Sequence, residues 1–123
     1  RNTATVLVPS CASLPLTVGE FEEWGNPAIE EQYRWMIGYS PYENLGPRRY
    51  PPMLVRTSFW DSQVMYWEPA KYVARLRAVA APESGPVLLK TNLDAGGHGG
   101  FAGRFDKLRD LAFDYAFLLK QLA

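Results

Sequence analysis

The pattern of apolar and polar positions becomes regular in the second half of the chain. Residues 53–59 and residues 87–92 are short apolar runs, each entered after a proline, and both are predicted strands. Between them, Val73, Leu76 and Val79 recur at helical spacing, with Pro69 as the expected first helical residue. This order predicts a βαβ unit with parallel strands and a right-handed crossover.

A longer helix is predicted over residues 104–122, because its apolar residues recur every three or four positions. They fall on one face of the helix, which we expect to pack on the sheet: Leu108, Leu111, Ala112, Tyr115, Leu118, Leu119 and Leu122.

Residues 14–50 are rich in Pro, Gly, Tyr and Trp and are predicted to be loop-rich, with one short helix around residues 29–37. The fold class is therefore α/β, with parallel strands flanked by helices. Two strands make an incomplete sheet, since such sheets typically hold several strands. We expect either further strands from a longer chain or pairing with a second copy through the open sheet edge, which makes a homo-oligomer possible.

Composition argues against several classes of protein. The chain has 13 basic and 13 acidic residues and no net charge, so it lacks the basic footprint typical of nucleic-acid binders, and it has no apolar stretch long enough to span a membrane. Cys11 is the single cysteine and His98 the single histidine, so the chain has too few of the usual ligands for a zinc site. No cofactor is expected. A lone cysteine fits a reducing compartment, and we expect a cytoplasmic location.

Asp61 and His98 are the candidate catalytic residues. Each follows a predicted parallel strand, and reacting groups gather at the carboxyl ends of such strands, so the two side chains should lie close together. An Asp that accepts a hydrogen bond from one imidazole nitrogen leaves the other nitrogen to take a proton from a nucleophile. The alternative is a glycine-rich surface loop, residues 94–100, with an uninvolved histidine. A phosphate-binding loop is disfavoured, because no Lys-Ser/Thr pair follows the glycines.

A second candidate site is the acidic and aromatic run from Glu20 to Trp24, in which Glu20 and Glu22 could bind an Arg or Lys side chain. A solvated acidic turn is the alternative for this run.

Four runs of residues are distinctive: Leu14-Pro-Leu-Thr-Val-Gly-Glu-Phe-Glu-Glu-Trp-Gly-Asn-Pro27, Tyr39-Ser-Pro-Tyr42, Asp61-Ser-Gln-Val-Met-Tyr-Trp-Glu-Pro-Ala-Lys71 and Gly97-His-Gly-Gly100. Together they resemble the oligopeptidase B group of the prolyl oligopeptidase family of serine peptidases. The resemblance covers about residues 14–122, whereas residues 1–13 align poorly with the family.

The resemblance implies the C-terminal portion of an α/β-hydrolase catalytic domain that cleaves short basic peptides after Arg or Lys. Asp61 and His98 match the triad Asp and His, residues 51–123 being the segment that carries them. Glu20, together with Glu22, matches the acidic residues that receive the basic P1 side chain, within a substrate-pocket segment of residues 14–50.

The nucleophilic Ser, the oxyanion hole and a β-propeller would then lie upstream, as missing segments of the same protein. No Gly-x-Ser-x-Gly elbow occurs in the 123 residues, so the chain alone is predicted to be inactive. The competing hypothesis is a non-catalytic module that binds basic peptides or self-associates.

Overall fold

The computed structural model describes residues 18–94, 96–98, 100 and 103–123, so Cys11 and the first seventeen residues lie outside the described part. The chain forms two compact units, Arg1–Gly46 and Pro47–Ala123. No helix among the described residues is long and apolar enough to cross a membrane.

The described part of the first unit includes the helices α1 (Phe21–Trp24) and α2 (Glu30–Tyr39). The turn between them contains Gly25, whose φ of 103° favours glycine. The predicted helix at residues 29–37 is confirmed, with its end two residues further on. Asn44 Nδ2 satisfies the end of α2, because it donates to the carbonyl oxygens of Ile37 and Ser40 at 2.7 and 2.8 Å.

The second unit contains a parallel pair of strands, β1 (Met53–Ser58) and β2 (Val87–Asn92), as predicted. The register pairs Met53 with Val87 at one end and Ser58 with Asn92 at the other. Within the described ranges this sheet has two strands. Its carboxyl ends lead into the two loops that carry Asp61 and His98.

Helix α3 (Trp67–Val79) connects the strands and contacts both of them. Val73 and Leu76 are buried on its inner face, where they form the core of this unit. The helix begins at Trp67, so the expectation that Pro69 is the first helical residue is wrong by two positions. Proline is tolerated there because the N–H groups of the first turn have no partner within the helix.

Helix α4 (Arg104–Leu122) has the predicted bounds, but its orientation differs from the prediction. It contacts the sheet through charged residues. Asp110 accepts hydrogen bonds from Arg56 and from Lys90, and Asp114 accepts one from Arg56 at 2.6 Å. The leucine-rich face is exposed instead, with Leu119 66% and Leu122 83% accessible. Arg56 in β1 and Lys90 in β2 are partly shielded cations, and the acidic side chains of the helix offset the cost of that shielding.

Candidate active site

Asp61 and His98 meet at the carboxyl edge of the two strands. Asp61 lies in the loop after β1 and His98 in the loop after β2, and the parallel pairing brings both loops to the same edge. The Asp61 carboxylate lies 2.9 Å (Oδ2) and 3.2 Å (Oδ1) from His98 Nδ1. The structure therefore brings together the two residues that the sequence singled out as a catalytic pair.

The Asp61 carboxylate is held in place by the backbone of its own loop. Oδ1 accepts hydrogen bonds from the N–H groups of Gln63 and Val64, both at 2.9 Å. The carboxylate is also well shielded, with 9% of the side chain accessible against 29% for His98. A shielded acceptor that is fixed before any ligand arrives is suited to orienting an imidazole.

Besides the contact between Asp61 and His98, further hydrogen bonds connect the end of β1 and the loop after it to the end of β2 and the loop after it. The backbone N–H of Phe59 donates to the Asn92 carbonyl oxygen at 2.8 Å. Trp60 Nε1 donates to the Leu93 carbonyl oxygen at 3.2 Å. The Ser58 hydroxyl donates to the carbonyl oxygen of Gly96, two residues before His98.

Gly96 allows the close packing of the loop that follows β2 and carries His98, here called the histidine loop. A Cβ atom at this position would lie 2.8 Å from the carbonyl oxygen of Gly100 and 3.1 Å from Asn92 Nδ2. A side chain at position 96 would therefore push the loop away from the strand ends. Gly97, the next residue, has no atom within 4 Å of the corresponding Cβ position.

A buried carboxyl group lies close to Asp61. Glu68, in the first turn of α3, is 3% exposed. Its pKa is raised from 4.5 to about 7, mainly by burial and next by the negative charge of Asp61, while Lys71 acts in the opposite direction. Glu68 is thus largely protonated below neutral pH, when it adds little negative charge to the surroundings of Asp61.

Aromatic side chains pack around the Asp61 loop. Phe59 stacks on Tyr66 with a centroid distance of 4.6 Å, and Trp60 and Trp67 extend this cluster through edge-to-face contacts at 5.5 and 5.3 Å. Such contacts stabilise the loop geometry beyond the area that they bury.

The other predicted site residues, Glu20 and Glu22, belong to the first unit. Glu20 immediately precedes α1 and is half-buried, and its carbonyl oxygen accepts the N–H groups of Glu23 and Trp24. Glu22 lies within α1 and is exposed. Their role in binding a basic side chain stays a prediction.

Sequence reasoning did not identify Ser58, Trp60 or Glu68. Ser58 and Trp60 lie at and just after the end of a strand, where side chains that form hydrogen bonds are common and do not indicate a site. Glu68 lies in a first helical turn, where acidic residues are also common. Ser58 and Glu68 are important because they are buried, and Ser58 and Trp60 because they bond to residues far along the chain.

Comparison with known proteins agrees with this geometry. Residues 3–123 match the prolyl oligopeptidase family. Among curated relatives, dipeptidyl aminopeptidase BI of Pseudoxanthomonas mexicana is 52% identical over 118 residues, or 96% of this chain. Protease 2 of Moraxella lacunata is 47% identical over 110 residues, or 89% of this chain. The chain spans 16% of the length of each of these relatives.

Solved structures show the same relationship. Oligopeptidase B from Leishmania major superposes with a TM-score of 0.90 at 35% identity, covering 97% of this chain and 16% of its own. Oligopeptidase B from Trypanosoma brucei, in a closed form with covalently bound antipain, superposes with a TM-score of 0.84 at 42% identity, covering 89% of this chain and 15% of its own. The chain therefore belongs to the prolyl oligopeptidase family and carries part of an α/β-hydrolase catalytic domain.

Proposed function

We propose that the protein containing this chain is a serine peptidase in which His98 transfers protons and Asp61 orients His98. The observation that carries the proposal is the contact between Asp61 Oδ2 and His98 Nδ1 at 2.9 Å, at the carboxyl edge of parallel strands. Because Nδ1 faces the carboxylate, Nε2 is the nitrogen through which the ring would exchange a proton with a nucleophile.

In this mechanism, a serine from another part of the protein attacks the peptide carbonyl carbon while His98 takes the hydroxyl proton. The new bond joins the serine oxygen to that carbon. His98 then gives the proton to the departing amine as the C–N bond breaks. Water then attacks the acyl carbon while His98 takes a proton from it, and His98 returns that proton to the serine oxygen as the bond from serine to carbon breaks and the acid leaves. Asp61 stays ionised and stabilises the imidazolium that forms.

We further propose that the substrates are short peptides with Arg or Lys at P1, bound through Glu20 and Glu22. The support is the acidic pair at α1 and the resemblance of this segment to oligopeptidase B. A carboxylate accepts charge-assisted hydrogen bonds from a guanidinium or ammonium group. The chain alone should be inactive, since it contains no nucleophile elbow.

A second candidate activity is the removal of dipeptides from an amino terminus. A relative named dipeptidyl aminopeptidase BI, 52% identical to this chain, favours it. Both activities use the same catalytic pair, so they differ in substrate alone. Hydrolysis of the amide of a dipeptide that ends in arginine distinguishes them. An enzyme that removes dipeptides requires a free amino group on this substrate, whereas an oligopeptidase also accepts the substrate with a blocked amino group.

Location and assembly stay predictions. We expect a cytoplasmic protein on the basis of its cysteine content, and a homo-oligomer is possible through unpaired strand edges.

The test uses the full-length protein and a peptidyl-arginine amide, with a leucine amide for comparison. His98→Ala and Asp61→Asn should each lower kcat at least about a thousandfold. Asp94→Asn is the matched control, because Asp94 is an exposed carboxylate in the same loop as His98, and it should retain activity. Unchanged turnover in His98→Ala would refute the peptidase mechanism.

Glu20→Gln should raise KM for the arginine amide and leave KM for the leucine amide unaffected. Equal effects on both substrates would refute the role of Glu20 in selectivity.

A further inference from the structure

The loop that carries His98 is attached to β1 by the side chain of Ser58. The hydrogen bonds from Phe59 and Trp60 end at Asn92, the last residue of β2, and at Leu93, the first residue after it. The Ser58 bond reaches further, to Gly96. It therefore holds the loop at the point nearest to His98 in the chain.

We propose that Ser58 is a positioning residue for His98. Its hydroxyl group holds the Gly96 carbonyl and thereby keeps the imidazole in contact with Asp61. This inference rests on the proposed peptidase function, because it assigns to Ser58 a part in placing the histidine of that mechanism.

The composition of the histidine loop makes such an attachment necessary. Gly96, Gly97 and Gly100 have wide conformational freedom, so a loop built from them loses much entropy when it is fixed in one arrangement. Asp61 holds the imidazole at one point, through Nδ1. A second point of attachment two residues earlier restricts the backbone that leads to the ring.

The burial of Ser58 strengthens this attachment. Ser58 is 5% exposed and is paired with Asn92 in the sheet, so its backbone is fixed by β1. Its loss would leave the Gly96 carbonyl without this donor in a crowded environment, and a buried acceptor without a donor favours another arrangement.

The test is Ser58→Ala in the full-length protein, with Ser84→Ala as the matched control. Ser84 Oγ accepts a hydrogen bond from the Tyr50 N–H at 3.1 Å, beside the start of β1, at the opposite end of the sheet. Each variant thus removes one hydroxyl hydrogen bond to the backbone. Ser58→Ala should lower kcat about tenfold and leave KM within about twofold, whereas Ser84→Ala should leave kcat unchanged. Thermal unfolding of both variants measures how much each substitution lowers the stability, so that an effect on kcat can be separated from a general loss of stability.

A double-mutant cycle with His98→Ala shows whether Ser58 acts through the histidine. In the His98→Ala background, measured on the residual hydrolysis of an activated arginine ester, Ser58→Ala should cause no further loss. An equal tenfold loss in that background would overturn the inference, as would a Ser58→Ala enzyme with the wild-type kcat. Full activity of His98→Ala alone would instead refute the peptidase mechanism, so the two failures are distinguishable.

Discussion

Replacing Glu68 by Gln should stabilise the protein at alkaline pH and have little effect at acid pH. Glu68 is 3% exposed, and its pKa is raised from 4.5 to about 7, first by burial and then by the charge of Asp61. Folded protein therefore holds the Glu68 proton more tightly than unfolded protein does. As pH rises from 4.5 to about 7, the unfolded state loses this proton first, and the free energy of unfolding falls.

The size of the effect follows from the pKa difference. A rise from 4.5 to about 7, at about 1.4 kcal/mol for each pKa unit, corresponds to a cost on the order of 3 kcal/mol above pH 7. At pH 5 the cost is below about 1 kcal/mol, because Glu68 is then protonated in most folded molecules and in part of the unfolded ones. Gln resembles the protonated carboxyl group in shape and carries no charge, so the variant avoids the cost at every pH.

Scanning calorimetry of the full-length protein at pH 5 and pH 8.5 measures this difference. The Tm of Glu68→Gln should exceed that of the wild type clearly at pH 8.5 and only slightly at pH 5. Glu83→Gln is the control, because Glu83 is exposed and should change Tm little at either pH. A Tm difference that is the same at both pH values, or larger at pH 5, would refute the reasoning.

Two further substitutions test the packing around the site. Asp110→Ala should lower the free energy of unfolding by about 2 kcal/mol, since it removes an acceptor shared by Arg56 and Lys90. Asp106→Ala is the control, because it breaks only an exposed ion pair with Arg109 at 3.7 Å, and it should lower the free energy of unfolding by under about 0.5 kcal/mol. Denaturant unfolding measures both changes. Equal losses would contradict this. Gly96→Ala should lower kcat about tenfold or more through displacement of the histidine loop, and Gly97→Ala, which meets no atom within 4 Å, should retain most of its activity in the same assay. A Gly96→Ala enzyme as active as Gly97→Ala would show that the loop adjusts freely.

The strands and helices could be predicted because their signals are local. Apolar runs entered after proline residues identified β1 and β2, and their parallel pairing followed from the helix between them. The closeness of Asp61 and His98 followed in turn from topology, since both positions come just after parallel strands.

What could not be predicted depends on contacts between distant segments. Periodicity shows that α4 has an apolar stripe, but it does not show which element covers that stripe, and the helix in fact contacts the sheet through Asp110 and Asp114. The roles of Ser58 and Glu68 were hidden for the same reason. Burial makes the Ser58 hydroxyl and the Glu68 carboxyl important, and burial at those positions is a property of the folded unit.

The ion pairs of Asp110 with Arg56 and Lys90 and the catalytic pair both depend on the register of the two strands. Arg56 and Lys90 are partners in the register, and both donate to Asp110. A slip of one residue would turn one of the two side chains to the other face of the sheet and break this arrangement. The same slip would move one strand end by about 3.3 Å relative to the other, which exceeds the tolerance of a hydrogen bond. The contact between Asp61 and His98 therefore depends on the same register that the ion pairs of Asp110 with Arg56 and Lys90 favour.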